Sequence, residues 1–528
     1  MSGRAQSRPN SKTFRLRSRR QLYFMRKLFA LLICIVLVSV SSCRKDFSTI
    51  PSFGNLTFSK DTVFLDTVFT NIGSSTYNLK VYNKSSDAIT IPSISLENGN
   101  TSNYRISVDG IAGESFQNID ILAKDSIFIF VETTIDHSKV TDPIYTDKII
   151  FDTGNNQQDV DLVTLVQDAT FIYPGKDAIS MKIDSLTLDG KPTTIKGRFL
   201  TDSELTFTNT KPYVIYGYAA IPANKTATIE AGAKLYFHNN SGIIVDKKGS
   251  LKVNGTINNK VIFEGDRLEH RFNNVPGQWG TIWMRAGSKE NEINHAIIKN
   301  GIIGVLVDSL GSNSPTLSIK NTEIYNNANY GILGRETNIS GENLVIGNTG
   351  QSSLALTIGG TYNFTHSTFA NYWTNGTRQL PTVLVNNFFT YNDANNQEVV
   401  ETRDLHAANF INCIIDGNNN IEFVLDKVDG SLFNYSIQHN MIKFNDVDNV
   451  FANNTELNFD DTSHYLNNII NGTVHFKDPF INQYNIGQNN TGINKALNSV
   501  SLLFPLDILG TDRTTNPDIG AYQHVNFQ

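Results

Sequence analysis

The sequence predicts an all-β protein in which a β-sandwich precedes a parallel β-helix, and three observations predict it. The first is a repeat between Asn291 and Tyr372. It reads Ile293-x4-Ile298-x-Asn300, Leu317-x-Ile319-x4-Ile324-x-Asn326, Ile339-x6-Ile346-x-Asn348 and Tyr362-x-Phe364-x4-Phe369-x-Asn371, with Asn steps of 26, 22 and 23 residues. Periods of this size mark a solenoid whose repeats are single supersecondary units. The second is that apolar residues within a repeat alternate at period two, the spacing of a strand, with no helical segment between strands. Each repeat is then one coil, and coils stack at about 4.8 Å. The third is composition: 528 residues, 40% hydrophobic and 18% charged, rich in Asn, Thr and Ser, which suits a folded extracellular β protein of two or three domains. The repeat Asn suits a sharp turn, since it tolerates the left-handed backbone region and its amide bonds nearby backbone. Stacked Asn side chains are expected to form a structural ladder rather than a ligand-binding face.

Taken in order, the chain opens with an address. Residues 1–42 carry nine Lys or Arg and no acidic residue, and Met25-Arg26-Lys27 precedes the apolar run Leu28 to Val38. This is a signal peptide, with an apolar core too short for a comfortable membrane span. Translation from either Met1 or Met25 supplies one. The run ends in Val40-Ser41-Ser42-Cys43, which resembles the lipobox of bacterial lipoproteins. The resemblance implies a lipid on Cys43, residues 43–52 as a tether, and attachment to the cell envelope, at the outer membrane. With Cys34 in the signal and Cys43 lipidated, only Cys413 remains as a thiol, so neither a disulfide framework nor a Cys-based zinc site is available within the chain. Processing also shifts the charge: 44 − 9 = 35 basic against 50 acidic residues gives −15, where the whole chain has −6. An anionic surface argues against nucleic acid as a partner.

Residues 53–170 hold short alternating segments: Val63 to Phe69, Tyr77 to Tyr82, Ser126 to Val131, Lys148 to Phe151 and Val160 to Val166. Turn clusters between them predict an antiparallel sandwich. The run from Leu79 through Asn83-Lys-Ser85 to Ile91, then Ser93-Ile-Ser-Leu and Tyr104-Arg-Ile, resembles immunoglobulin-like domains of the abnormal-spindle and hydin type. Such domains imply a spacer or protein-binding module. Residues 171–212 read as connecting strands. From Tyr213 through Ala231-Gly232-Ala-Lys-Leu-Tyr-Phe237, Gly249-Ser-Leu-Lys-Val-Asn-Gly255-Thr, Val261-Ile-Phe and Gly277-Gln-Trp-Gly-Thr-Ile-Trp283, the sequence resembles the opening coils of right-handed parallel β-helix proteins of the pectate-lyase-like superfamily. The implied fold is all-β: an immunoglobulin-like sandwich, then a right-handed parallel β-helix over 213–475, then a C-terminal cap over 476–528. Between Thr226 and Phe444 there is room for roughly ten coils, a rod of about 45 Å. Gly232, Gly249 and Gly255 fall where the chain turns between strands. After Tyr372 the register loosens. Gly376 to Glu401 reads as an inserted loop around a strand pair, and a coil returns at Phe410-x4-Ile415-x-Gly417. Phe476-Lys-Asp-Pro-Phe480 and Asp507-Ile-Leu-Gly-Thr-Asp-Arg513 with Asp518-Ile-Gly-Ala-Tyr522 resemble the tail of secreted β-helix proteins, except that Gln523 stands where those carry an acid. That tail is expected to cap the last coil, with Arg513 and Asp518 paired across it.

The superfamily resemblance implies two possible chemistries: a lyase with acidic Ca²⁺ ligands and a basic residue, or a hydrolase with paired carboxylates. Either needs side chains at equivalent positions on adjacent coils. In the clear repeats Asp308, Glu323, Arg335, Glu336 and Glu342 fall at different offsets from the Asn. His295 and His366 share an offset, five before the Asn, but Asn321 and Asn343 stand between them, so no metal site is expected. The enzyme candidates lie where the register breaks: Arg403, Asp404, His406, Asp416 and Glu422. Tyr325, Tyr372 and Trp373 flank the repeat Asn and are the glycan-binding candidates, whereas Tyr362, Trp279 and Trp283 read as packing residues. The expectation is a cell-envelope lipoprotein whose β-helix binds polysaccharide, or serves as an adhesive or scaffolding rod, without catalysis, cofactor or metal. One alternative is a polysaccharide lyase or glycoside hydrolase with its site near 376–422, using Ca²⁺ if a lyase. Another is a structural spacer or partner-binding subunit.

Overall fold

A computed structural model describes residues 48–308 and 315–527; the signal sequence, Cys43 and most of the tether lie outside the described residues. The chain divides into two compact units. The first comprises the described residues up to Val63 with Thr76–Glu132 and Asp147–Leu162; the second comprises Phe64–Ser75, Thr133–Thr146 and the chain from Val163 onward.

All five strands expected at the N-terminus are present, within Thr62–Phe69, Tyr77–Tyr82, Ser126–Thr133, Ile144–Phe151 and Gln158–Gln167. They belong to two sheets, of six and five strands. Tyr77–Tyr82 pairs antiparallel with Ser126–Thr133, and Ile89–Leu96 pairs antiparallel with Ser115–Ile121 and with Ile144–Phe151. Period-two alternation buries Leu79, Val81, Ile89, Ile91, Ile129 and Val131. The Asn-x-Ser turn after Tyr82 is locked by the buried Asn83. Its amide donates to Asp87 O at 2.8 Å and Leu122 O at 3.0 Å, and its carbonyl accepts from Ser85 N at 3.0 Å.

The rest of the chain is a parallel β-helix with three strands per coil, for example Tyr218–Ile221, Thr226–Glu230 and Lys234–Phe237. One strand of each coil joins an 11-stranded parallel sheet, and the other two join an 18-stranded sheet. The first coil is supplied by residues read from sequence as connectors. Thr170–Ile172 pairs parallel with Tyr213–Ile215, Lys191–Phe199 with Tyr218–Ile221, and Thr206–Phe207 with Thr226–Glu230. Inward residues recur in register from coil to coil, as in Leu235, Phe263, Ile298, Ile324, Ile346, Phe369, Ile415 and Ile442, all buried. Tyr362 and Trp279 are core residues as expected. Trp279 stacks on Phe237 at 4.4 Å and donates its indole N–H to Lys299 O at 2.9 Å. The insertion is narrower than expected: Val383–Asn386 is a regular coil strand, and only the antiparallel hairpin Phe388–Asn392 with Glu398–Thr402 projects from the stack. The far end of the core is closed by Phe451 and Phe459, which pack on Phe444.

Of the four repeat Asn, Asn300, Asn326 and Asn348 take the left-handed conformation, as expected, and Asn371 does not. They do not bond one another, however; Asn300 Nδ2, for instance, donates to Asn273 O at 3.0 Å. The ladder forms five residues earlier. His295, Asn321, Asn343, His366, Asn412, His439 and Asn467 are equivalent positions on successive coils, every one with positive φ. Asn321 Nδ2 donates to Asn294 Oδ1 at 2.9 Å, Asn343 Nδ2 to Asn321 Oδ1 at 3.0 Å, and Asn412 Nδ2 lies 3.0 Å from His366 Nε2. Burial and the nearby Arg513 hold His366 well below the usual histidine pKa, so it is a neutral rung of this ladder.

The C-terminal segment covers a side of the stack. Phe476, Tyr484, Ile486, Ile508, Ile519 and Tyr522 form one core with Tyr325, Val345, Ala370, Ile414 and Met441, which face outward from the 11-stranded sheet. Gly347 leaves the space that Tyr484 fills, since an added Cβ would lie 2.2 Å from its Oη. The segment also meets the ladder rung by rung. Lys495 O lies 3.0 Å from His439 Nδ1, Leu497 N donates to Asn412 Oδ1 at 2.6 Å, Ser501 Oγ lies 2.9 Å from His366 Nε2, and Leu506 O accepts from Asn343 at 3.0 Å. Arg513 and Asp518 do not pair directly. Arg513 is buried, donates to Asn343 Oδ1 at 2.8 Å, and is brought down to about 10 by burial. Asp518 accepts from Asn494 N at 2.9 Å and from His524 N at 2.7 Å.

Candidate functional site

The residues selected from sequence do not converge. Arg403 lies 3.0 Å from Glu401 and 3.5 Å from Glu336; Asp404 accepts from Leu432 N at 2.9 Å; His406 is exposed. Asp416 and Glu422 are buried instead of lying in an exposed loop. Tyr372 Oη donates to Asp416 at 2.6 Å, and Glu422 pairs with the buried Arg378 while accepting from Thr382 N at 2.9 Å and Asn419 N at 2.7 Å. These bonds tie neighbouring coils to one another and to the stretch from Arg378 to Thr382. Tyr325 and Trp373 are buried and Tyr372 is half-buried, so none of the three offers an open ring face. Tyr325 bonds Glu323 and packs on Tyr484; Tyr372 meets Phe476 and Phe480 edge-on. Their outward register was readable from sequence, but the C-terminal segment that covers them was not. Among the described residues, no group of three His, Cys, Asp or Glu is placed to hold a metal ion.

A different set does converge, on the first coils. Each strand of the 11-stranded sheet there ends in an inward residue, namely Ile172, Ile215, Phe237 and Gly265, which are partners in register. The residues that follow, Tyr173, Tyr216, His238 and Asp266, therefore occupy one position on four successive coils. Three rung steps make the row about 14 Å long. Its rings pack on one another, with Tyr173 and Tyr216 centred 4.9 Å apart and Tyr216 and His238 4.4 Å apart, and His238 Nδ1 lies 2.8 Å from Asp266 Oδ2. Tyr173 is 47% exposed and the His238 side chain 48%. Phe69, Ile72, Val214, Tyr236 and Leu268 form the apolar bed beneath the row.

Two cavities open beside the row, and Thr67, Arg267 and Leu268 line both. The smaller, about 280 Å³, is bounded by Tyr216, His238, Asp266 and Glu269. The larger, about 560 Å³, is bounded by Tyr236, Glu264, Phe272, Asn273, Lys299 and Asp168 among others. Tyr236, Glu264 and Lys299 come from a second outward column, in register on successive coils. The charges are matched. Glu264 lies 2.7 Å from Lys299, Asp168 2.5 Å from Lys211, and Glu269 2.8 Å from Arg267, while Glu269 also accepts from Ser75. The hydrogen bond to Asp266 raises His238 above its ordinary pKa, against burial and Arg267. Burial, which opposes ionisation of Glu269, is outweighed by its bonds from Arg267 and Ser75, and the carboxyl is held below the usual range. Burial, reinforced by Asp266 and Tyr173, keeps the Tyr216 phenol protonated.

The sequence held a signal for this row, an aromatic or titratable residue immediately after each strand. It was hidden by spacings of 43, 22 and 28 residues, far less even than the repeats that follow. No family model and no curated protein matches the chain. Among solved structures, a family 123 glycoside hydrolase from Clostridium perfringens is similar at 15% identity over 21% of this chain and 25% of its own, with a TM-score of 0.14. The catalytic unit of a GH87 alpha-1,3-glucanase from Streptomyces thermodiastaticus is similar at 12% identity over 69% and 79%, with a TM-score of 0.23. At these scores neither likeness bears on the function of this chain.

Proposed function

We propose that the protein is a cell-envelope lipoprotein, anchored through Cys43, whose parallel β-helix binds a glycan on its first coils and leaves it chemically unchanged. The observation that carries this reading is the row Tyr173–Tyr216–His238–Asp266. A rigid strip of ring edges, hydroxyls and one carboxylate, fixed on a stack of sheet strands, suits a linear chain of hydroxyl-rich rings, whose hydroxyls bond the phenols and the carboxylate along it. The β-helix holds this geometry before the ligand arrives, which lowers the ordering cost of binding. Binding without cleavage is favoured because both carboxylates of the smaller cavity are engaged, Asp266 by His238 and Glu269 by Arg267.

The test is retention of residues 44–528 on a panel of immobilised polysaccharides, with chain length of soluble glycans measured in parallel. Retention by at least one polysaccharide, weakened in Tyr173→Ala and without shortening of any chain, is the expected result. Shortening that disappears in Asp266→Asn makes the protein an enzyme instead. Retention by none leaves a scaffolding rod. Anchoring is tested separately, by the shift of Cys43→Ser from the membrane to the soluble fraction.

A further inference from the structure

The larger cavity differs from the aromatic row in one respect that bears on which glycan is accepted. Two carboxylates, Glu264 and Asp168, the latter held by Lys211, line this cavity with two permanent cations, Arg267 and Lys299. Each of those cations already has a carboxylate partner. A negatively charged sugar entering here would have to break the Glu264–Lys299 or Glu269–Arg267 pair to gain a counter-charge. Removing a cation from a partly desolvated pair strands the other charge, which is costly. The formal charge of the whole chain, −6, adds long-range repulsion of the same sign. An uncharged polyol meets neither obstacle. One hydroxyl can donate to Glu264 and accept from Lys299 at once, because a carboxylate only accepts and an ammonium only donates, whereas a hydroxyl does both. The volume of about 560 Å³ lies within the range of small-ligand pockets.

We infer that this cavity is a subsite for an uncharged, hydroxyl-bearing unit of the ligand, so that the protein takes neutral glycans and rejects acidic ones. The inference rests on the glycan-binding reading above, and Glu264 is the residue that sets the preference. In Glu264→Gln the side chain keeps its shape and Lys299 loses its partner, which leaves a free cation at the cavity wall.

The experiment is calorimetric titration of residues 44–528, wild type and Glu264→Gln, with matched neutral and uronic-acid oligosaccharides at low and at moderate salt. The wild type is expected to bind the neutral series at least roughly tenfold tighter, and Glu264→Gln to gain roughly fivefold or more toward the acidic series, a gain that shrinks as salt is raised. Circular dichroism of both proteins establishes that each is folded. Wild type binding the acidic series as tightly as the neutral one overturns the inference while leaving the glycan-binding reading in place. An unchanged preference in a folded Glu264→Gln overturns the role given to Glu264. Binding of neither series overturns the glycan reading, and this inference with it.

Discussion

Replacing Arg378 should do more damage than replacing any other single charged residue near the insertion. The Arg378–Glu422 pair is sealed from solvent, the two side chains being 1% and 0% exposed. Arg378 also donates to Leu380 O at 2.7 Å and to Asn418 Oδ1 at 3.0 Å, and Glu422 accepts from Thr382 Oγ1 at 2.8 Å. The pair thus joins the stretch before strand Val383–Asn386 to the turn before Phe423–Asp426. In Arg378→Met, Glu422 keeps its neutral donors but loses its only ion-pair partner among the described residues. Breaking one half of a buried pair costs about 3–5 kcal/mol, whereas exchanging both halves for apolar side chains of similar volume is close to neutral. Arg378→Met should therefore lose about 3–5 kcal/mol, and Arg378→Met/Glu422→Leu should recover most of that loss. The assay is urea unfolding of residues 44–528 followed by circular dichroism, with tryptophan emission as a second probe because Trp373 receives a bond from Asn418 at its carbonyl. A loss below about 1 kcal/mol in the single variant, or a double variant as unstable as the single, would show that the pair is not the fastening described here.

Three further outcomes are expected. Burial raises the Asp416 carboxyl above its ordinary value, against the bond from Tyr372, so the folded chain holds this proton more tightly than the unfolded chain. Stability is then lost as pH rises from the unfolded value through the raised folded one. Asp416→Asn escapes that loss and should gain on the wild type between pH 3 and pH 7, measured as the difference in urea midpoint. Cys413, pushed up to about 12 by burial, should resist thiol reagents in the native protein and react within minutes once it is unfolded in urea, as thiol titration of residues 44–528 will show. Gly347→Ala forces a methyl against Tyr484 Oη and Ala370 O, so it should cost about 1–3 kcal/mol and expose the C-terminal segment to limited proteolysis.

The sequence disclosed what period and pattern encode. Strand positions at the N-terminus, the coils from Asn291 to Asn371, the burial of Trp279 and Tyr362, and the left-handed turns at Asn300, Asn326 and Asn348 were all legible, because each follows from local alternation or from the conformational tolerance of Asn. What failed were inferences about what lies on top of a sheet. Tyr325 and Asp416 point outward in the register, yet both are covered. The residues covering them, from Phe476 to Tyr522, come from the far end of the chain, and no local pattern announces such a pairing. His295 and His366 share a column in the sequence, with their true neighbours, Asn321 and Asn343, between them. The ladder stood at that offset rather than at the more regular Asn. The row at Tyr173 falls where the spacing between coils is uneven, so no period marks it.

The lateral C-terminal segment also bears on how such a protein can change over generations. A bare solenoid bonds each repeat only to its neighbours, so repeats can be duplicated or deleted with little effect beyond the junction. Here one stretch of chain is keyed to particular rungs in sequence, Lys495 to His439, Leu497 to Asn412, Ser501 to His366 and Leu506 to Asn343. Adding or removing a coil between Asn343 and His439 would shift the keys on one side of the change past their slots by one rung, about 4.8 Å. Coil number is therefore frozen in that stretch. Before Asn321, where no such key engages the ladder, the gene remains at liberty to lengthen the rod.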